Sequence, residues 1–291
     1  MTDTSRTLLK TWTQAQQRLK AAQIDSPAID ARLLLEAATD ATRTDILTDP
    51  YRVITDEQAQ KMDEFLSQRE KRVPVARILG RKGFWKLLLN LTPDVLVPRP
   101  ETECLVDMIL KRTEADQAFT VADLGVGSGA ILLSILAERP AAKGIGTDIS
   151  EEALAVARDN AAGLGLAGRA AFLRTSWAAG LEGESFDFVA SNPPYIRSDV
   201  IATLEPEVKD HDPLLALDGG ESGLDAYEEL IPQVFHILKN GGGAWIEIGY
   251  DQSAEVEALM KQAGFVEVIT FKDLSDQPRI VVGTKKTLGK S

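Results

Sequence analysis

From about residue 101 onward the chain alternates short apolar runs with segments of helical period, and that alternation leaves few folds open to it. Residues 120–124 read as a strand, 131–138 as a helix and 144–147 as a strand. The stretch 151–164 is helical, with Leu154, Ala157 and Ala161 on one face. Residues 170–173 and 186–190 are further strands. A helix over 224–239 is expected to stop at Asn240-Gly241-Gly242. A strand over 244–248, a helix over 253–263 and two last strands near 265–271 and 279–283 complete the pattern. It predicts an α/β domain on a doubly wound, mostly parallel, seven-stranded sheet. No helix separates the last two strands, so one of them is expected to run antiparallel.

The front of the chain has a different period. Leu8, Trp12, Ala15 and Leu19 recur at helical spacing. Ser26-Pro27 places an N-cap before a proline at the first helical position, and Leu33, Leu34 and Ala37 then line one face. Thr55-Asp56-Glu57-Gln58 fits a capping box ahead of Met62, Phe65 and Leu66. Val73-Pro74-Val75 is expected to end the last of these helices. Gly80 to Gly83 and Phe84 to Leu91 look like a hairpin, and Pro93, Pro98 and Pro100 keep the next stretch extended. The predicted division is a small helical domain over 1–75, a hairpin linker over 76–100 and the α/β domain over 101–291.

Charge narrows the partners. The 291 residues carry a net charge of −12. Residues 1–100 hold a balance of +3 and the remainder −15. Such acidity argues against a broad nucleic-acid surface, which needs excess Lys and Arg. No apolar run approaches the roughly 20 residues of a membrane span, and Met1 to Arg6 precede no apolar leader core. With a single cysteine, Cys104, no internal disulfide can form. The reading is a cytoplasmic protein that meets neither membrane nor nucleic acid directly, and a monomer. His211 and His236 lie far apart without Cys or carboxylate partners at ligand spacing, so no metal is expected. Cys104 reads as a buried helix residue, not a nucleophile.

Asp123-Leu124-Gly125-Val126-Gly127-Ser128-Gly129 follows the first sheet strand and opens a helix. Glycines there let the backbone turn and approach a ligand closely. In open parallel sheets, ligands bind at the C-terminal strand ends near the switch point. Asp148 closes the next strand, where a carboxylate can accept hydrogen bonds from two ribose hydroxyls. Asp123 could meet the amino group of a methionine moiety. The loop also satisfies a relaxed dinucleotide fingerprint, so a dehydrogenase stays open beside a methyltransferase at this point.

Ser191-Asn192-Pro193-Pro194-Tyr195 follows the strand over 186–190, on the same ligand-binding edge. An amide or exocyclic amino nitrogen is a poor nucleophile because its lone pair is delocalised. Methyl transfer to it depends on positioning more than on a strong base. The Asn192 oxygen and a proline carbonyl can accept both N–H bonds of an NH₂ group and stabilise the charge that develops on nitrogen. Pro193 and Pro194 stiffen the backbone, and Tyr195 offers a flat face to a planar group. Asn192, Pro193, Pro194 and Tyr195 are therefore the candidate catalytic and substrate-binding residues.

Over nearly its whole length the chain resembles the HemK/PrmC family of protein-(glutamine-N5) methyltransferases. Val97-Pro98-Arg99-Pro100-Glu101-Thr102-Glu103 is similar to the family's signature ahead of the α/β domain. Asp123 to Gly129 is similar to its cofactor loop, Asp148-Ile149-Ser150 to its ribose-binding strand end, and Asn192 to Tyr195 to its substrate motif. Asp218-Gly219-Gly220, Gly223 to Tyr227 and Glu247-Ile248-Gly249 resemble downstream signatures. The resemblance implies a class I, Rossmann-like fold that uses S-adenosyl-L-methionine without a metal. It implies as target the glutamine of the Gly-Gly-Gln motif in class 1 peptide-chain release factors. Carried over by position, it implies Asp123, Gly125, Val126, Gly127, Ser128, Gly129, Asp148, Trp177 and Asn192 as cofactor contacts. Ser176, Ala178, Ser222 and Val126 depart from the family's usual residues. Two other targets share the chemistry: a glutamine on a ribosomal protein, and the N6 of adenine in nucleic acid. The resemblance assigns no role to Arg99, Glu101 or Glu103.

Overall fold

The computed structural model describes residues 6–286. Met1 to Ser5, on which the expectation of no leader partly rests, lie outside the described residues. The chain divides into two compact units, Met1–Arg81 with Glu205–His211, and Lys82–Leu204 with Asp212–Ser291.

The first unit holds α1 (Leu8–Ala21), α2 (Pro27–Thr39), α3 (Arg43–Thr48), α4 (Asp56–Glu70) and α5 (Val75–Leu79). Its core is apolar at helical spacing, with Leu8, Leu19, Leu34, Leu35 and Met62 all buried. Burial stabilises each by roughly 2 kcal/mol. The capping box at α4 forms as expected: Gln58 N–H donates to Thr55 Oγ1 at 3.2 Å and Thr55 N–H to Gln58 Oε1 at 3.0 Å. Ser26 occupies the N-cap of α2, but its side chain makes no capping hydrogen bond. The sequence reading also missed α3, which a second capping box between Thr42 and Asp45 starts. Pro74 does not end the helical region. It is the N-cap of α5, where its missing N–H leaves no helical bond unmade.

The second unit begins with a hairpin, β1 (Arg81–Phe84) and β2 (Leu87–Asn90), followed by α6 (Glu103–Lys111). Then come β3 (Thr120–Leu124), α7 (Ala130–Glu138), β4 (Lys143–Asp148), α8 (Glu151–Gly163), β5 (Ala170–Arg174) and β6 (Phe186–Ser191). Short helices α9 (Ser198–Ile201) and α10 (Pro206–Lys209) precede α11 (Asp225–Ile237), β7 (Leu238–Glu247), α12 (Ser253–Ala263), β8 (Phe265–Lys272) and β9 (Pro278–Lys285). The strand order is β5-β4-β3-β6-β7-β9-β8. The first five strands of that order run parallel, and β9 is antiparallel to both β7 and β8. This is the doubly wound, mostly parallel seven-stranded sheet expected from the alternation, antiparallel end included.

Alternation within the strands decides which layer each side chain joins. Val121 of β3 packs with Leu105, Leu132, Leu133 and Leu154 of α6 to α8. Its neighbours Ala122 and Leu124 pack on the other face with Tyr227, Leu230, Val256 and Met260 of α11 and α12. The sheet order reverses between β3 and β6, which makes their C-terminal ends the switch point.

One boundary differs from the sequence reading. Helix α11 stops at Ile237, and β7 already begins at Leu238. Asn240-Gly241-Gly242 lies inside that strand, at a bulge where Phe186 pairs with Leu238 but Phe188 with Gly243. The glycines serve the bulge and not a helix C-cap. Helix α10 belongs to the first unit. Its Glu207 meets Arg69 at 2.8 Å and Arg72 at 2.9 Å, while Arg69 also meets Asp30 at 2.7 Å. Arg69 is buried, so this is an ion-pair network shielded from water.

Candidate active site

The glycine loop leaves β3 in a backbone conformation that only glycine adopts cheaply, with φ of +77° at Gly125, +51° at Gly127 and +86° at Gly129. Gly125 and Val126 both donate N–H bonds to the Thr147 carbonyl of β4, at 2.9 and 2.8 Å. Gly127 N–H donates to Asp148 Oδ2 at 3.0 Å, and Ser150 N–H to Asp148 Oδ1 at 3.0 Å. Each carboxylate oxygen keeps a further lone pair for a ligand hydroxyl. Asn160 of α8 locks the loop from behind: its Nδ2 donates to Ser128 O and Asn90 O, at 2.9 and 3.1 Å.

A cleft of about 440 Å³ opens at this switch point, a size typical of small-molecule sites. Gly125, Val126, Gly127, Ser128, Asp148 and Trp177 line it, and so do Asn192 and Pro194. Trp177 is held with φ +49°, and its carbonyl accepts a 2.6 Å bond from Thr147 Oγ1. A Cβ on Gly125 would sit 3.5 Å from the Trp177 ring, so the two form the walls of one cradle. Apolar walls beside a ribose-type carboxylate fit an adenosyl group. Ser176 lines the cleft, with its hydroxyl donating to Glu229 at 2.7 Å, whereas Ala178 is buried in the core.

Four of the residues singled out from sequence do not line the cleft. Gly129 is the N-cap of α7, and a Cβ there would meet Leu133 at 2.8 Å. Asp123 is fully buried: its Oδ2 accepts from Leu132 N–H at 3.0 Å and its Oδ1 has no partner. Burial pushes its carboxyl up to about 8, with the Leu132 bond opposing and the charge of Asp148 adding. Pro193 is buried, and Tyr195 packs against the α11–α12 layer. Burial pushes the Tyr195 phenol up to about 12.

The motif is instead fastened from below. Ser191 Oγ donates to Leu124 O at 2.6 Å, tying the ends of β6 and β3. Gln252 Nε2 donates to Tyr195 O and Gly223 O, both at 3.0 Å. A Cβ on Gly219 would meet Tyr195 Cα at 2.8 Å and Pro194 O at 3.0 Å. The Gly219 to Gly223 stretch is thus the bed on which the Asn192 to Tyr195 backbone lies.

Several cleft residues were not named as site residues from the sequence, although Thr102 and Ile149 lay within stretches it had singled out. Thr102, Ile149, Thr175, Leu215 and Glu229 all line the cleft. Glu229 is an ordinary helix residue and carried no signal. Arg99, whose role the sequence left open, lines the cleft and pairs at 2.6 Å with Asp212. Glu103 accepts from Trp85 N–H at 2.8 Å and so secures the hairpin turn. Among the described residues, no group of three His, Cys, Asp or Glu side chains could hold a metal ion.

Comparison with known proteins agrees with this geometry. Residues 10–80 match the PrmC N-terminal domain family, and residues 101–205 the methyltransferase small domain family. The release factor glutamine methyltransferase of Caulobacter vibrioides is 58% identical over 97% of this chain and 98% of its own length. The chain belongs to the release factor glutamine methyltransferase family. A second relative of that name, from Bradyrhizobium diazoefficiens, is 44% identical over 92% of this chain and 91% of its own. A solved methyltransferase from Pyrococcus furiosus shares the fold, with a TM-score of 0.50 at 19% identity over 68% of this chain and 88% of its own. The chain is therefore a methyltransferase dependent on S-adenosyl-L-methionine. No helix among the described residues is long and apolar enough to cross a membrane.

Proposed function

We propose that this enzyme methylates the side-chain amide nitrogen, N5, of the glutamine in the Gly-Gly-Gln motif of class 1 peptide-chain release factors. The observation that carries the reading is the placement of Asn192 and Pro194 in the same cleft as Gly125 to Ser128, Asp148 and Trp177. The names of the two relatives support the protein substrate. The −15 balance beyond residue 100 supports protein over nucleic acid.

When bound, S-adenosyl-L-methionine supplies the methyl group on a positively charged sulfur. Asp148 would hold the ribose, Trp177 and Ile149 the adenine, and the 125–128 backbone the remainder. Asn192 Oδ1 accepts an N–H bond of the substrate amide, and Pro194 lines the cleft beside it. That turns the nitrogen lone pair toward the donor and stabilises positive charge as it grows on nitrogen. The amide then loses one proton to water, so no dedicated base is needed. The helical N-terminal segment, residues 1–75, recognises the release factor, 76–100 links, and 101–291 carries out the transfer. The enzyme works as a cytoplasmic monomer.

The test uses the purified enzyme, radiolabelled cofactor and a class 1 release factor, either wild type or with the Gly-Gly-Gln glutamine changed to alanine. Label is expected on the wild-type protein alone. Label on both would refute the site, and label on DNA with neither protein labelled would move the target to adenine.

A further inference from the structure

Directly behind Asn192 lies a buried acid that the proposed transfer does not use. Glu247 is the last residue of β7 and only 1% exposed. Its Oε2 has no hydrogen-bond partner. The carboxylate lies in hydrogen-bonding reach of the Thr102 hydroxyl and of the Asn192 side chain. Asn192 Nδ2 donates to Thr102 Oγ1 at 3.2 Å.

These contacts have a fixed polarity. A hydroxyl that accepts from Asn192 still has its own hydrogen to donate, and the carboxylate is the acceptor within reach. An ionised carboxylate can only accept. Thr102 and Glu247 therefore both call for a donor from the inner end of the Asn192 carboxamide. Its Nδ2 is held inward, and its Oδ1 is left for the cleft. Reversed, the carboxamide would present N–H groups to the N–H groups of a substrate amide, and the site would repel what it must bind. Burying a carboxylate with one unpartnered oxygen is costly. A neutral side chain would fill the same space without that cost, which argues that the charge itself is used.

We infer that Glu247, acting with Thr102, is the positioning residue that orients the Asn192 carboxamide so that its oxygen faces the substrate. The inference rests on the proposed role of Asn192 as the acceptor for the substrate amide. It joins three separate stretches of sequence, around Thr102, Asn192 and Glu247, in one buried polar cluster centred on the 3.2 Å bond from Asn192 Nδ2 to Thr102 Oγ1.

The device depends on ionisation. Burial pushes the Glu247 carboxyl up to about 7, opposed by Thr102, Arg279 and Asn192 and reinforced by Glu101. The titratable and charged groups facing it are Arg279 of β9, Glu101 just before α6, Cys104 of α6, Tyr195 after β6 and Tyr227 of α11. The Cys104 thiol and both phenols are pushed up, away from neutrality. Protonated Glu247 can donate to Thr102, which can then donate to Asn192 Oδ1, and the reversed carboxamide becomes equally good. Turnover should therefore fall as pH drops through about 7.

The experiment measures kcat from pH 5.5 to 9 with full-length enzyme, saturating cofactor and release factor, together with cofactor affinity and Tm. Glu247→Gln is expected to lower kcat about 10- to 100-fold, the scale on which misplaced groups act. Cofactor affinity should stay within about threefold, and the acid limb should vanish. Thr102→Val should behave alike, and Thr102→Ser, which keeps the hydroxyl, should recover most of the loss. Glu247→Gln combined with Asn192→Ala should be no worse than Asn192→Ala alone. If Asn192→Ala abolishes turnover while Glu247→Gln keeps wild-type kcat and pH profile, the positioning role is wrong and the acceptor role stands. If Asn192→Ala keeps turnover, the acceptor role fails first. Should Glu247→Gln not fold, equal kcat for Thr102→Val and Thr102→Ser would overturn the inference.

Discussion

At the scale of single residues, the site is built from groups whose environment matters more than their identity. Asp123 illustrates this. Its folded pKa of about 8 lies above the ordinary 3.8, so the folded chain binds that proton more tightly than the unfolded one. The stability it contributes is fully present below about pH 4 and is lost as pH rises toward 8. Asp123→Asn keeps an acceptor for the Leu132 N–H and cannot ionise. Urea unfolding without ligand should therefore show a flatter stability profile between pH 4 and 8 in the variant, with its largest advantage near pH 8. Identical profiles would mean that another group sets the slope. Asn192 could be picked out from sequence because its motif is four adjacent residues. Its partner Thr102 lies 90 positions away, and no local pattern signals such a pairing.

At the scale of elements, glycines mark where backbones approach. Gly219 has a Cβ site 2.8 Å from Tyr195 Cα, and neither backbone can give way freely. Gly219→Ala is expected to destabilise by about 1–3 kcal/mol. It should also lower kcat at least about tenfold by lifting Pro194 and Tyr195, while cofactor affinity holds. Gly163→Ala, at the end of α8 with nothing within 4 Å, is the control. It should be neutral or stabilising by about 0.5–1 kcal/mol. A Gly219→Ala enzyme with wild-type kcat and Tm would show that the bed beneath the motif does not position it. Most helices and strands were legible from period alone, because amphipathic faces repeat locally. The errors fell where a local signal has two meanings. Pro74 reads as a stop but begins a helix, and Gly241-Gly242 reads as a helix end but forms a strand bulge.

For the molecule as a whole, ligand binding should report on folding. A ligand at 100 times its Kd, bound only by the folded state, stabilises by about 2.7 kcal/mol. Saturating S-adenosyl-L-methionine should thus raise Tm, and Asp148→Ala should lose most of that rise when measured against its own unliganded Tm, which falls with the loss of the Gly127 and Ser150 N–H bonds. A full rise in the variant would remove Asp148 from the cofactor site. The assignment of residues 205–211 to the first unit shows what only the folded chain reveals. Nothing in that short segment marks it out, and its membership depends on Glu207 meeting Arg69 more than 130 positions away.

The sequence by itself determined the alternation of strands and helices, the glycine loop, Asp148 and the Asn192 to Tyr195 motif, because each is written in neighbouring residues. Periodicity needs no knowledge of the partner, and a tight turn needs its glycine wherever it lies. Tertiary structure decided which of those residues face the cleft, that Asp123 and Tyr195 turn inward, and that Thr102 and Glu247 stand behind Asn192. Those outcomes depend on burial and on hydrogen bonds between distant segments, which exist only once the sheet has brought the ends of β3, β6 and β7 together.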